Sequence, residues 1–439
     1  MSVGSGRLRE EADVIRHGCV VKGEDPALVD QALVIDGQRR ELLGKADTLR
    51  AQRKQISESI GLAIKGGAEP NGPQVSQLKE QSNWMAAEIS GMDARLAHIN
   101  AQLDDLLYRI PNPPDPDVPV GGEEASQIVR TWGEPVTSHE EPQSADHEAW
   151  IRKPHWEVGE RLGIIDLAAG AKVTGSGFPV LKGSGASLQR ALIDWLLDFH
   201  LAEGGMTEIS PPIMVNEASA RGTGQIPDKE DQMYVVTRDE LFLVPTAEVP
   251  VTNVHRDEII EAEQLPIRYA AYTPCFRREA GAAGAKTRGM LRVHQFDKVE
   301  MVAFEKPEDS DAALEWMTAH AEEALKRLGL PYRVKLMATG DMGFTQAKKY
   351  DLEVWAPGVE DWLEVSSVSN FRDYQARRMA IRWRSEQGAR PEILHTLNGS
   401  GFGMARLFAA IVEIYQQPDG SIAVPEVLQA RLGKRISAT

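Results

Sequence analysis

The sequence predicts an α+β protein in which a paired-helix arm precedes a mixed strand-and-helix domain. Three observations carry this. Apolar residues recur at alternating four- and three-residue spacings through the first quarter of the chain. A proline-dense stretch follows. Short β-like runs then alternate with amphipathic helices. The 439 residues suffice for two or three domains at roughly 100–200 residues each.

The first seam runs Leu28, Ala32, Ile35, Arg39, Leu42, Ala46, Leu49, Arg53, Ile56, Ile60. The second runs Val75, Leu78, Ser82, Met85, Ile89, Met92, Leu96, Ile99, Leu103, Leu106, Ile110. This is the a/d pattern of a coiled coil. Between the seams, Lys65–Pro73 is too rich in Gly and Pro for any helix to survive. The simplest structure is an antiparallel coiled-coil hairpin over about 28–110, each arm on the order of 50 Å long. A dimerisation coiled coil or two helices of a bundle fit the same pattern. Asp36–Lys54 carries Arg39, Arg40, Lys45, Arg50, Arg53 and Lys54 against Asp36, Glu41 and Asp47. Such a helix is either a phosphate-facing surface or a solvated charged face.

Five prolines within Ile110–Pro119 mark a stiff linker. The expected division is an arm at 1–115, a linker at 116–150, polar and irregular, and a main domain at 151–439. Within the last, Ser187–Glu203 and Glu308–Leu328 read as helices. Met233–Val236, Phe242–Val244, Val299–Phe304, Arg333–Met337, Asp351–Trp355 and Asp361–Ser366 read as strands. The Gly-rich Asn398–Gly403 reads as the opening of a helix over Met404–Tyr415.

Composition excludes several classes. No run approaches the ~18–20 apolar residues of a membrane span, and no apolar leader follows Met1. Cys19 and Cys275 are the two cysteines, so a disulfide framework is excluded and a reducing cytoplasm is the natural setting. No His or Cys pairs with another at zinc-ligand spacing, so no zinc is expected. Neither a dinucleotide fingerprint nor a P-loop occurs. A net charge of −16 argues against nucleic-acid binding only for the surface as a whole, because a local basic face suffices.

Phe276-Arg277-Arg278-Glu279 precedes a Gly- and Ala-rich loop carrying Lys286, Arg288 and Arg292, and then Val293–Val302. A hairpin of this kind can lay a guanidinium along a phosphate, which its planar fork grips with two hydrogen bonds. Alone, the motif is weak, because surface Arg–Glu pairs are common.

Its context is specific. Thr246-Ala-Glu-Val-Pro250 lies upstream. Leu363–Asn370 (LEVSSVSN), Thr396–Arg406 (TLNGSGFGMAR) and Val424–Leu428 (VPEVL) lie downstream. With the hairpin Tyr272–Val302, these ordered pieces resemble the seryl-tRNA synthetases of bacterial type, class II aminoacyl-tRNA synthetases. The resemblance covers nearly the whole chain.

It implies a coiled-coil arm followed by a class II antiparallel sheet flanked by helices. It also implies ATP-dependent attachment of L-serine to tRNA(Ser) through a seryl-adenylate, and to tRNA(Sec) where the host has one. Arg277 would bind the α-phosphate and the serine carboxylate, with Arg406 as the second catalytic arginine, at the γ-phosphate or an adenine face. Glu279, Val293 and Phe296 would hold the adenine, with Arg278, Glu364, Val365, Ser366 and Ser367 completing the ATP site. Glu364 and Ser367 would carry Mg²⁺. Thr246, Ala247, Glu248, Glu300 and Ser400 would form the serine pocket, one carboxylate for the ammonium and one for the hydroxyl. Residues 203–214, with Pro211 and Pro212, resemble a class II dimer segment. A homodimer binding tRNA across subunits is therefore implied, with no membrane partner.

Two features depart from the family pattern: Met1–Ala12 matches weakly and reads as irregular, and Arg278 stands where a small residue is common. An amino acid:carrier-protein ligase would lack the arm. An inactive RNA-binding paralogue would not be expected to retain Glu248, Arg277, Glu300, Ser400 and Arg406 together.

Overall fold

A computed structural model describes residues 3–140, 150–279 and 288–437. It divides into two compact units, Met1–Pro111 and Asn112–Thr439.

In the first unit, α1 (Ala27–Lys65) and α2 (Pro73–Arg109) run antiparallel, and the Gly/Pro stretch between them makes the turn. Leu28, Ala32 and Ala46 are buried from one seam, and Val75, Ile89, Leu96 and Leu103 from the other. The remaining seam positions are mostly half-buried, as a lone helix pair requires. Met1–Ala12 is a correction. Helices Ser5–Glu10 and Ala12–Val21 form there. Leu8, Ile15 and Cys19, seven and four residues apart, join Leu28, Val29, Leu103, Leu107 and Ile110 in a small core. Arg9 adds an ion pair to buried Asp36 at 2.7 Å.

Several cations of the basic helix are engaged in ion pairs. Asp36 takes Arg39 at 2.7 Å, Glu41 takes Lys45 at 2.6 Å, and Asp47 and Asp93 take Arg50 at 2.7 and 2.5 Å. Exposed Arg53 and Lys54 line a shallow surface hollow with Arg50 and Ser57.

The second unit is built on an eight-stranded sheet. Its strands are β1 (Gln127–Trp132), β2 (Thr207–Glu208), β3 (Ile267–Phe276), β4 (Gln295–Glu305), β5 (Tyr332–Leu336), β6 (Lys348–Ala356), β7 (Asp361–Asn370) and β8 (His395–Gly403). Their order is β1-β5-β6-β7-β8-β4-β3-β2, antiparallel except for the β3–β2 pair. The helices are α3 (Ser184–Ala202), α4 (Glu248–Asn253), α5 (Ser310–Arg327) and α6 (Met404–Ile414). Leu192 and Leu196 of α3, Leu314 and Met317 of α5, and Phe408 and Ile411 of α6 share one core with Val299, Met301, Val334 and Leu352 of the sheet. Among the described residues, no helix is long and apolar enough to cross a membrane.

One sequence expectation fails here. Gln127–Trp132, assigned to an irregular linker, is the edge strand β1. It has almost no buried face, so alternation could not reveal it. Arg130 secures it instead, through Glu315 at 3.2 Å and Glu322 at 3.0 Å. Asn398–Gly403 leads directly into α6, so the helix expected over Met404–Tyr415 is present at Met404–Ile414; the glycine run itself is the end of strand β8, which the sequence did not reveal. Its glycines mark close approach: a Cβ on Gly401 would lie 2.3 Å from the His200 ring, and one on Gly399 would lie 3.1 Å from Met301.

Candidate functional site

Two adjoining cavities open over the centre of the sheet. Register puts Glu300 of β4 opposite Ser400 of β8, and Val368 of β7 opposite Gly399 of β8. The β3–β4 hairpin projects Arg277 and Glu279 over this floor, and α6 begins at its far side, carrying Arg406 in its first turn.

One cavity is lined by Val293, Phe296, Val365, Ser366 and Arg406. The other is lined by Thr246, Glu248, Glu300, Ser367 and Asn398. Arg277, Glu279, Arg292, Lys298, Glu364 and Ser400 border both. The Arg277 guanidinium lies over Phe296, 5.1 Å from the ring centroid, and its Nε donates to the Pro245 carbonyl at 3.4 Å. Arg406 Nη1 meets the Glu364 carboxylate at 3.2 Å, while its Nε donates to the Leu291 carbonyl at 3.1 Å. Ser366 Oγ donates to the Ser400 carbonyl at 2.6 Å, tying β7 to β8.

The carboxylates are differently placed. Glu300 is buried, with Lys298 Nζ at 2.5 Å and the Asn398 amide at 3.3 Å. Glu248, the first residue of α4, is also buried and takes the Gln375 amide at 2.5 Å. Burial and the Glu300 charge push its carboxyl up to about 7. Burial acts in the same direction on Glu364, but Lys349, Arg406 and Arg277 outweigh it and hold that carboxyl below its ordinary value. Asp351, across the β6–β7 ladder from Ser367, is pushed up to about 7 by burial despite Lys349 at 3.0 Å.

The structure thus gathers Thr246, Glu248, Arg277, Glu279, Val293, Phe296, Glu300, Glu364, Val365, Ser366, Ser367, Ser400 and Arg406 around one connected space. Ala247 is buried beneath it in the apolar cluster with Val251 and Ala271. Arg278 turns away, its Nη1 donating to the Asp231 carbonyl at 3.0 Å, and it lines neither cavity. Arg292 pairs with Glu279 at 2.5 Å, and Arg288 lies over Trp156. Lys286 lies outside the described residues. Cys275 is buried. His294 stacks on Phe178 at 5.1 Å, so both pack beside the cavities.

Sequence reasoning missed several partners. Lys298 was recoverable, since it shares a strand face with Glu300 two residues on. Gln375 had no local signal. Nor did a buried strap behind the hairpin. His155 Nε2 accepts from the Met290 amide at 2.9 Å, its Nδ1 meets Glu413 at 2.7 Å, and Glu413 also accepts from the Gly358 and Val359 amides at 2.8 and 3.1 Å. Met290 is thereby fixed next to Leu291, whose carbonyl Arg406 holds.

Chemically, the first cavity offers an aromatic face and two arginines, suited to a base and its phosphates. The second offers two buried carboxylates and hydroxyls, suited to a small cation with a polar group. Arg277 stands where the two ligands would meet.

Both parts of the chain match known proteins. Residues 234–415 match the family model described as tRNA synthetase class II core domain (G, H, P, S and T), and residues 6–114 match Seryl-tRNA synthetase N-terminal domain. A serine–tRNA ligase of Gemmatimonas aurantiaca is 46% identical, with 98% of this chain and 99% of that protein covered. One of Chlorobium luteolum is 49% identical, with 95% and 94% covered. The crystal structure of seryl-tRNA synthetase from Pyrococcus horikoshii complexed with ATP superimposes with a TM-score of 0.90 at 35% identity, covering 99% of both chains.

Proposed function

Since the chain belongs to the seryl-tRNA synthetase family, we propose a residue-level account of how it joins L-serine to tRNA at the expense of ATP. The observation that carries the account is that Arg277 borders both cavities.

ATP occupies the cavity of Phe296, Val293 and Glu279, and serine the cavity of Thr246, Glu248 and Glu300. Arg277 lies along the serine carboxylate and the α-phosphate, two anions that must approach each other. The carboxylate attacks the α-phosphorus, pyrophosphate leaves, and seryl-adenylate remains. The terminal ribose hydroxyl of tRNA then attacks the acyl carbon and releases AMP. No protein nucleophile is needed, so catalysis is positioning and charge stabilisation.

The two carboxylates divide their work by their partners. Glu300 already pairs with Lys298, so it is left to accept from the neutral serine hydroxyl. Glu248 takes a neutral amide, which leaves its charge for the ammonium. A site built around that hydroxyl rejects alanine, which would strand buried polar groups.

Glu364 and Ser367 suit a Mg²⁺ ion that completes its shell with phosphate and water, because this carboxylate is held ionised and faces both cavities. Such an ion would neutralise phosphate charge. Arg278 is left no direct part in holding ATP. The coiled-coil arm is the tRNA-binding element, with Arg53 and Lys54 among its free cations. A cytoplasmic homodimer with tRNA bound across subunits completes the proposal, as does serylation of tRNA(Sec) where the host has one.

Charging total tRNA with each labelled amino acid in turn is expected to give serine alone. Charging with any other amino acid, or with none, would overturn the account.

A further inference from the structure

We infer that Gln375 is a positioning residue for amino-acid recognition: its amide aims the Glu248 carboxylate and keeps it ionised for the substrate ammonium. This rests on the reading of Glu248 given above.

Gln375 lies in the short helix Tyr374–Arg378 and is buried, outside the lining of both cavities. Its Nε2 donates to Glu248 Oε1 at 2.5 Å and to the Thr223 carbonyl at 3.2 Å. Its Oε1 accepts from Thr396 Oγ at 2.8 Å. The amide cannot turn over, because a reversed group would set its oxygen against a carbonyl and a carboxylate, both acceptors. Thr396 is itself fully buried on β8, so the amide is held from both ends.

The geometry matters because of what surrounds Glu248. The charged groups acting on it are Glu300, Lys298 and Lys229. Lys298 is already engaged by Glu300 at 2.5 Å. Burial and the Glu300 charge favour the protonated acid, with its midpoint at about 7. The Gln375 N–H opposes them by bonding to the ionised form. Without that donor, more of the carboxyl would keep its proton at neutral pH, and a neutral acid cannot balance an ammonium. Gln375 acts through Glu248 and need not touch substrate.

The test is pyrophosphate exchange with serine and ATP varied separately, from about pH 5.5 to about pH 9. In the natural protein, kcat/KM for serine should fall as pH drops through about 7, because the acid form of Glu248 accumulates below that value. In Gln375→Met that limb should move up by about one pH unit, and the serine KM at neutral pH should rise on the order of tenfold. The ATP KM and the rate at saturating serine should stay within about threefold. Thr396→Val, which loosens the amide without removing it, should move the limb the same way by less. It carries the test if Gln375→Met does not fold. An unmoved limb, or serine and ATP KM rising together, would overturn the inference. Glu248→Gln should show no acid limb and weak serine use at every pH. If it kept full serine affinity, the assignment of the ammonium site would fall, and not merely the part played by Gln375.

Discussion

Arg277→Ala is expected to lower serine-dependent pyrophosphate exchange by roughly 10³-fold in kcat/KM, about 4 kcal/mol of transition-state stabilisation. Two anions must come into contact for the first step, and at about 4 Å their repulsion in a shielded site is several kcal/mol. A guanidinium between them removes that cost without having to reorganise. The fold should persist, because Arg277 is exposed and contributes a 3.4 Å bond to Pro245 and a stack on Phe296. Losing those contacts costs about 1 kcal/mol. Arg277→Lys keeps the charge but loses the fork, and should fall between the two, nearer alanine. The measurement is exchange kinetics beside a thermal melt. A folded Arg277→Ala protein with exchange within about threefold of the natural rate would remove this residue from the mechanism.

Replacing Ile56–Met85 with a short Gly-Ser link should have an effect as large, on the other half of the reaction. The removed residues are the distal part of the hairpin. The helices that remain keep the buried seam at Leu28, Ala32, Ala46, Ile89, Leu96 and Leu103, together with the N-terminal core. Adenylate formation should therefore stay within about twofold. Aminoacylation should fall on the order of 10²-fold or more in kcat/KM for tRNA, and its salt dependence should flatten as phosphate contacts disappear. Normal charging by the shortened protein would take tRNA recognition away from the arm.

What could be read in advance followed physical range. The hairpin was legible because its period repeats over many turns, and its register survives in the buried positions. The cavity residues were legible because several short motifs occur in one order. The edge strand β1 was not, since its anchor is an arginine reaching Glu315 and Glu322, more than 180 residues away. β8 was disguised by glycines that read as the lead-in to a helix, whereas His200 leaves no room for a Cβ on Gly401 and Met301 crowds one on Gly399. Gln375 and Glu248 meet across 127 residues, a pairing no local window contains. The pairing of Arg50 with Asp93 could not be read from the first helix alone, because Asp93 lies 43 residues away on the second.

The two cysteines have a practical consequence. Cys19 lies in the N-terminal core and Cys275 in strand β3 of the hairpin, both fully buried. Burial pushes the Cys19 thiol up to about 11 and also raises that of Cys275. The reactive species toward a maleimide is the thiolate, so the folded protein is nearly silent to such reagents at neutral pH. A single cysteine placed at exposed Ser57, far along the arm, would take up a dye almost alone. The arrival of tRNA at the arm is then open to measurement in real time without first stripping the natural thiols.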